Sequence, residues 1–202
     1  MKAFWDARVL PILVEHVCGN REITDERRRW IPRATGRVLE IGIGSGLNLP
    51  HYRDCEVVGL DPSPQLIARA AAKQSSVPIE IVEGTAEALP FPDRSFDTIV
   101  TTYTLCSVGD PGRALAEARR VMRPEARVIF VEHGLAPDPG PRAWQRRITP
   151  AWRIVGGNCH LDRDLPSLFR DAGLAMIERE TGYRESGPRW FSYRYQGIAA
   201  SR

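Results

Sequence analysis

Apolar residues along this chain follow two rhythms, and the switches between them outline the fold. Near the amino terminus Trp5, Val9, Ile12, Leu13 and Val17 recur at helical spacing. They predict a helix over 4–17, with Phe4 at its head and Pro11 at its start or bending it. A polar stretch, Asn20 to Arg29, and Trp30-Ile31-Pro32 follow. Short β-type runs then take over at 37–41, 56–60, 79–83, 96–101 and 127–132, the first three ending at a glycine or an acid. Helical spacing returns between them. Gln65 to Lys73 has Ser63 placed as its cap, and Pro111 opens a second helix through Ala114, Leu115, Ala118 and Val121 that stops at Arg123-Pro124. Short strands alternating with helices predict βαβ units and a mostly parallel sheet. The last third is looser: a proline-rich loop over 137–141, a helix around 165–172, and strands at 175–181 and 193–199 flanking a turn at Ser186-Gly187-Pro188. Those two strands read as an antiparallel hairpin closing the sheet.

Composition narrows the picture. The 202 residues, 43% hydrophobic and 26% charged, suit one folded domain over 1–202. The net charge is only +3, and no basic run is interleaved with aromatics, so no nucleic-acid partner is expected. Cys18, Cys55, Cys106 and Cys159 are far apart and form no C-x-x-C pair. That spacing predicts neither a metal site nor a disulfide framework. No signal-peptide pattern or bilayer-length apolar run is present, and a cytoplasmic setting is expected.

The chemistry concentrates at Glu40-Ile41-Gly42-Ile43-Gly44-Ser45-Gly46, directly after the first strand. Alternate glycines let the backbone turn tightly and lie against a ligand. The next strand ends in Asp61, whose carboxylate is placed to accept from both hydroxyls of a ribose. A dinucleotide-binding loop prefers G-x-G-x-x-G and brings a pyrophosphate to a helix start. Here the spacing is G-x-G-x-G, and Glu40 would repel that pyrophosphate but attract an ammonium. The pattern favours a nucleoside cofactor bearing an amino acid over a nicotinamide dinucleotide.

These residues resemble the motifs of class I S-adenosylmethionine-dependent methyltransferases of the type 11 group. Glu40 to Gly46 is similar to their first motif and Gly59-Leu60-Asp61-Pro62-Ser63 to their second. The stretch 83–91 with Ser95-Phe96-Asp97 resembles the segment beside the adenine, and 119–124 the step before the fifth strand; the likeness covers 38–132. It implies a Rossmann-like α/β fold, a seven-stranded mostly parallel sheet with helices on both faces and an antiparallel last strand. It implies S-adenosylmethionine as cofactor, held by Glu40, Gly42, Gly44, Gly46, Asp61, Pro62, Thr85, Ala86, Glu87 and Thr101. Thr85 stands where the family usually has an aspartate, and Glu125-Ala126 where glycines usually follow Pro124.

By the family's geometry the methyl group faces 101–106, after the fourth strand. His133 at the end of the fifth strand is the first candidate for a general base, His160 the second, and Tyr103 a wall of the transfer site. A narrower likeness lies in Leu105-Cys106-Ser107-Val108, Val131-Glu132-His133, Pro150-Ala151-Trp152 and Cys159-x-Leu161-x-Arg163. These are similar to the small alkyl-thiol methyltransferases and imply a small, fairly apolar acceptor. Methyltransferases of quinones and of phospholipid head groups share the core motifs, so those acceptors stay open, as does a cofactor-binding module without turnover. The chain then divides into a helical lid (1–35), a cofactor-binding half (36–135) and a substrate-side half (136–202). The amino-terminal helix reads as that lid or as a peripheral membrane contact. Oligomeric state has no sequence signal.

Overall fold

The computed structural model describes residues 8–202, so Phe4 and Trp5 fall outside the described residues. Seven strands form one sheet in the order β3-β2-β1-β4-β5-β7-β6. They are β1 (Gly36–Ile41), β2 (Cys55–Asp61), β3 (Ile79–Glu83), β4 (Phe96–Thr102), β5 (Met122–His133), β6 (Leu174–Tyr183) and β7 (Tyr193–Ser201). The first five pair in parallel, while β7 runs antiparallel between β5 and β6. The last two strands thus pair as expected, with the final strand inserted inside the sheet and β6 at its edge.

Helices cover both faces. On one side Leu39, Ile41, Ile99, Val128 and Phe130 pack in one buried cluster with Leu115, Ala118 and Phe169. On the other Val38, Val57, Val100, Ile129 and Val131 meet Trp30, Ile31 and Tyr52. Neighbouring positions such as 99 and 100 face opposite layers, as the period of a strand requires. A sheet buried on both faces leaves the carboxyl ends of its strands as the place for a crevice.

The helices are α1 (Leu10–Cys18), α2 (Arg21–Trp30), α3 (Pro64–Ala71), α4 (Pro111–Val121), α5 (Pro139–Val155), α6 (Leu165–Asp171) and the short α7 (Arg189–Ser192). Pro11 sits in the first turn of α1, where a missing N–H is harmless. Ser63 caps α3 through its side chain, as its position predicted. Two helices depart from the sequence reading. The polar stretch after Asn20 is α2, capped by Asn20 Oδ1 accepting from Ile23 N. Its buried face is Ile23, Glu26, Arg27 and Trp30, so charged residues occupy half of the inward positions and hide the helical period. The proline-rich loop expected over 137–141 is instead the opening of α5, with Pro139 in the first turn and Pro150 accommodated inside. β5 also begins earlier than expected. Residues Arg123-Pro124-Glu125-Ala126 run on as strand, and the register against β4 jumps from Phe96↔Met122 to Thr98↔Arg127. The bulge shapes this step where the sequence lacks glycines.

Candidate functional site

A cavity of about 630 Å³ opens at the carboxyl ends of β1, β2 and β4, a volume typical of small-molecule sites. Its floor is the loop after β1, its sides the stretch 61–66 and Thr102, Tyr103, Thr104, Ser107 and Val108, and its remaining wall Leu10, Pro11, Val14 and Cys18 of α1 and Arg27 of α2 with Gly156-Gly157. Glu15, on the same helix, pairs with Arg69 and Lys73 at 2.6 and 2.8 Å and ties α1 to α3.

The glycine loop is pinned from both sides. Gly42 N and Ile43 N both donate to Leu60 O, at 2.8 and 3.0 Å. Asp61 Oδ2 accepts from Gly44 N and Oδ1 from Ser63 N, each at 2.9 Å. Burial raises the Asp61 carboxyl above its usual range, and the two backbone donors pull it back down. Each oxygen keeps acceptor capacity toward the cavity. Gly42 and Gly44 line the cavity; Gly46 does not. A Cβ at Gly46 would meet Leu49 and Ala70 at 2.8–3.2 Å, so this glycine serves the close approach of α3 rather than a ligand.

Glu40 is 2% exposed and lines the cavity floor. Its Oε1 accepts from Asn48 Nδ2 and its Oε2 from Tyr52 Oη, both at 2.8 Å. Burial pushes its carboxyl up to about 7, against the lowering effect of those bonds and of Arg27. Arg27 Nε donates to Asn48 Oδ1 at 2.9 Å, and Asn48 Nδ2 donates also to Thr102 Oγ1 at 2.9 Å. This network links α2, the glycine loop and β4 beneath the cavity. Sequence reasoning missed Arg27, Asn48 and Tyr52. Asn48 follows the last glycine of the loop by two positions, a usable signal; a buried arginine in a polar helix gives none.

Tyr103 lines the cavity with its backbone left-handed, φ +54°. It is held there by its N–H to Val131 O at 2.9 Å. Its hydroxyl donates to Glu26 Oε2 and accepts from Arg184 Nη1, both at 2.6 Å. Burial and the Glu26 charge keep the phenol well above its usual pKa, so the ring is a neutral wall. His133 sits behind it, ring centroids 6.0 Å apart, with Nε2 3.1 Å from Cys159 Sγ. Burial opposes protonation of that imidazole, yet the neighbouring Cys106 and Glu132 outweigh it and raise the pKa. His160 directs Nδ1 to Asn158 O at 2.7 Å and lies beside Arg163. Neither imidazole is among the cavity-lining residues.

The remaining expected residues divide. Pro62 lines the cavity. Thr101 does not, and its neighbour Thr102 does, a one-residue offset that puts the side chain on the opposite face of β4. Thr85, Ala86 and Glu87 form a turn past β3 outside the lining. Glu87 Oε1 accepts from Gly109 N and Asp110 N at 2.8 and 3.1 Å, bracing the loop that carries Ser107 and Val108 into the cavity. Sequence spacing predicts no metal site; the fold brings Cys106, His133 and Cys159, all buried, together with their ligand atoms within 4.8 Å of one another. Residues spaced widely in sequence meet because the ends of neighbouring β4 and β5 meet and the segment after α5 is bonded to the loop after β4. Among the described residues no helix is long and apolar enough to cross a membrane.

Known proteins resemble this chain in sequence and in fold. The chain matches the type 11 methyltransferase domain over residues 39–130. It is 41% identical over 149 residues to a phosphatidylethanolamine N-methyltransferase of Cereibacter sphaeroides, covering 71% of this chain and 72% of that protein. It is 35% identical over 151 residues to the thiol S-methyltransferase TMT1B of Rattus norvegicus, covering 71% of this chain and 62% of the relative's length. Among solved structures, an S-adenosylmethionine-dependent methyltransferase from Thermotoga maritima superimposes with a TM-score of 0.70, 20% identity and full coverage of both chains. Its likeness rests on the fold alone, whereas the match to the type 11 domain, over residues 39–130, spans the glycine loop and Asp61. At the identity and coverage of the sequence relatives the chain belongs to the class I S-adenosylmethionine-dependent methyltransferases of the type 11 group.

Proposed function

We propose that this methyltransferase acts on a small, fairly apolar acceptor and transfers the methyl group to a thiol sulfur. The observation that carries this reading is the cavity wall. Leu10, Pro11, Val14 and Val108 make it apolar, and among the described residues its only carboxylates are Glu40 and Asp61 at the cofactor end. A cationic amine acceptor would want a carboxylate beside the transfer site; a neutral thiol does not. The likeness of the second half of the chain to thiol methyltransferases supports the same choice.

When bound, S-adenosylmethionine supplies an electrophilic methyl group from its sulfonium. Glu40 would take the ammonium of its methionyl end and Asp61 the ribose hydroxyls, since both line the cavity. Gly42 and Gly44 would make room between them, with Pro62 beside Asp61 in the same lining; the turn at Thr85, Ala86 and Glu87 lies outside the lining and would act through the loop it braces. Tyr103, fixed by Glu26 and Arg184, forms a neutral wall that holds the acceptor in line. α1, which walls one side of the cavity, would shield it from water. His133 stands one layer behind Tyr103 and His160 outside the lining, so both act on the wall rather than on the acceptor's proton. A thiol needs less help there than an alcohol or a ring carbon, because a few per cent is already thiolate at neutral pH.

A second reading has its own support. Ile12 and Leu13 on the outer side of α1 are 57% and 39% exposed, close to the residues that line the cavity. A phospholipid head-group amine reached from a membrane surface would use them. Methyl transfer from labelled cofactor to a panel of alkyl and aryl thiols, a demethylated quinone and phosphatidylethanolamine vesicles separates the readings. Turnover of thiols alone is expected; turnover of the vesicles alone would overturn the thiol assignment.

The raised Glu40 carboxyl predicts a pH dependence. Below about 7 it is protonated in the empty site and has no charge to offer an ammonium. Cofactor affinity should therefore rise with pH toward 7, by up to about tenfold per unit, and level off above it. It should fall again as the ligand's own α-amino group loses its proton near about 8. Calorimetric titration at pH 5.5, 6.5 and 7.5 reads this directly, and Glu40→Gln should flatten the acid limb. An equal slope in that variant would remove Glu40 from the ammonium.

A further inference from the structure

We propose that Cys106, His133 and Cys159 form a binding site for a zinc-class divalent ion beside the acceptor wall. Three observations lead there. The ligand atoms lie within 4.8 Å of one another, and all three residues are buried. His133 Nε2 and Cys159 Sγ are already 3.1 Å apart, so the imidazole presents a ring nitrogen to the sulfur. All four cysteines are free thiols, so this pair is not consumed by a disulfide.

The donor set fits the ion. Two sulfurs and one imidazole nitrogen are the borderline-soft ligands that zinc prefers over calcium or magnesium. Zinc–sulfur and zinc–nitrogen bonds of about 2.3 and 2.0–2.1 Å at tetrahedral angles place donors roughly 3.5–3.8 Å apart. The cluster, with donors no more than 4.8 Å apart and one pair at 3.1 Å, brackets that spacing. Three protein ligands leave one position for water or another small ligand, the pattern of an open rather than a closed site.

The scaffold holds the donors in place without the ion. Cys106 follows β4, His133 ends β5, and Cys159 follows α5. The two cysteine segments are stapled by His160 N to Cys106 O at 2.8 Å and Asn158 Nδ2 to Ser107 O at 2.9 Å. Arg163 adds bonds to Leu105 O and Val108 O. Ile148, Trp152, Trp190 and Phe191 pack around the cysteines and keep bulk water away. Ser107 and Tyr103 line the cavity, and Ser107 Oγ lies 3.5 Å from Cys106 Sγ. An ion here would tie three separate segments together one side chain from the bound acceptor.

The test loads reduced, full-length protein with Zn²⁺ and, separately, Co²⁺, removes excess metal, and measures metal per chain. One Zn²⁺ per chain is expected, and the cobalt form should show thiolate charge-transfer absorption with the visible bands of a tetrahedral site. Cys106→Ser and Cys159→Ser should each weaken uptake by more than the roughly 10–100-fold typical of losing an outer-shell partner. Cys55→Ala, remote from the cluster, should bind as the parent does. Cys159→His, which keeps a ligand at the position, should retain uptake if a serine variant fails to fold. Uptake far below one ion per chain in the parent overturns the proposal. So does uptake unchanged in both serine variants, or a Cys106–Cys159 disulfide found in place of metal. None of these readouts depends on methyl transfer, so the thiol assignment stands or falls separately.

Discussion

Asp61→Ala is expected to weaken S-adenosylmethionine binding by at least about a hundredfold while leaving a folded protein. The carboxylate does two jobs. Toward the protein, its oxygens accept from Gly44 N and Ser63 N at 2.9 Å and fix the height of the glycine loop relative to β2. Toward the cofactor, on the proposed reading, the same oxygens would offer their remaining lone pairs to the ribose hydroxyls. Hydrogen bonds to a charged acceptor contribute about 1.5–3 kcal/mol each, so losing two gives about 3 kcal/mol or more. At about 1.4 kcal/mol per factor of ten, that is two decades or more in affinity. The cost to the empty protein is smaller. Burial raises the Asp61 carboxyl above its usual pKa, so removing it relieves a desolvated charge even as it strands two N–H groups. Asp61→Asn keeps one acceptor oxygen and should fall between the parent and the alanine variant. Calorimetry gives the affinities, and a thermal melt shows that the variants are folded. Parent-like affinity in Asp61→Ala would take the ribose away from this residue.

The sheet was readable because its strands carry their own punctuation. β1, β2 and β3 each end at a glycine or an acid, and the run 79–83 coincides with β3. The helices that escaped are those whose packing departs from simple amphipathicity. α2 buries Glu26 and Arg27, which a hydrophobic pattern scores as surface. α5 begins at Pro139, and its prolines read as a loop although a first turn tolerates them. The cofactor loop was legible as chemistry but not as a division of labour. Three equally spaced glycines gave no hint that Gly46 packs on α3 while Gly42 and Gly44 face the cavity. Thr101 and Thr102 differ by one position, and only the pairing register tells which side chain faces the ligand. The Cys106, His133 and Cys159 cluster was invisible for a different reason: strand order and the docking of the segment after α5 bring it together, and spacing along the chain records neither.

Those two glycines yield the sharpest contrast. Gly42→Ala is expected to lower stability by about 2–5 kcal/mol. Gly42 has φ +74°, a left-handed conformation that costs an L-residue about 1–2 kcal/mol. A Cβ there would lie 2.4 Å from Thr104 Oγ1 and 2.5 Å from Thr104 Cγ2, well inside contact distance. Thr104 has little freedom to yield. Its N–H donates to Glu132 Oε1 at 3.0 Å and its hydroxyl to Thr102 O at 3.2 Å, so relief must shift the loop after β4 itself. Overpacking of that kind adds about 1–3 kcal/mol. For a domain of this size the sum lowers the melting temperature by roughly 5–15 °C. Gly44→Ala separates strain from clash. Its φ is +55°, but the nearest atom to an added Cβ is 3.9 Å away, so only the backbone term remains. That variant should lose about 1–2 kcal/mol of stability. A thermal melt of both proteins decides the matter. If Gly42→Ala melts no lower than Gly44→Ala, the glycine loop and the Thr104 loop are not locked against each other, and the close fit of β1 to β4 at the cavity floor is wrong.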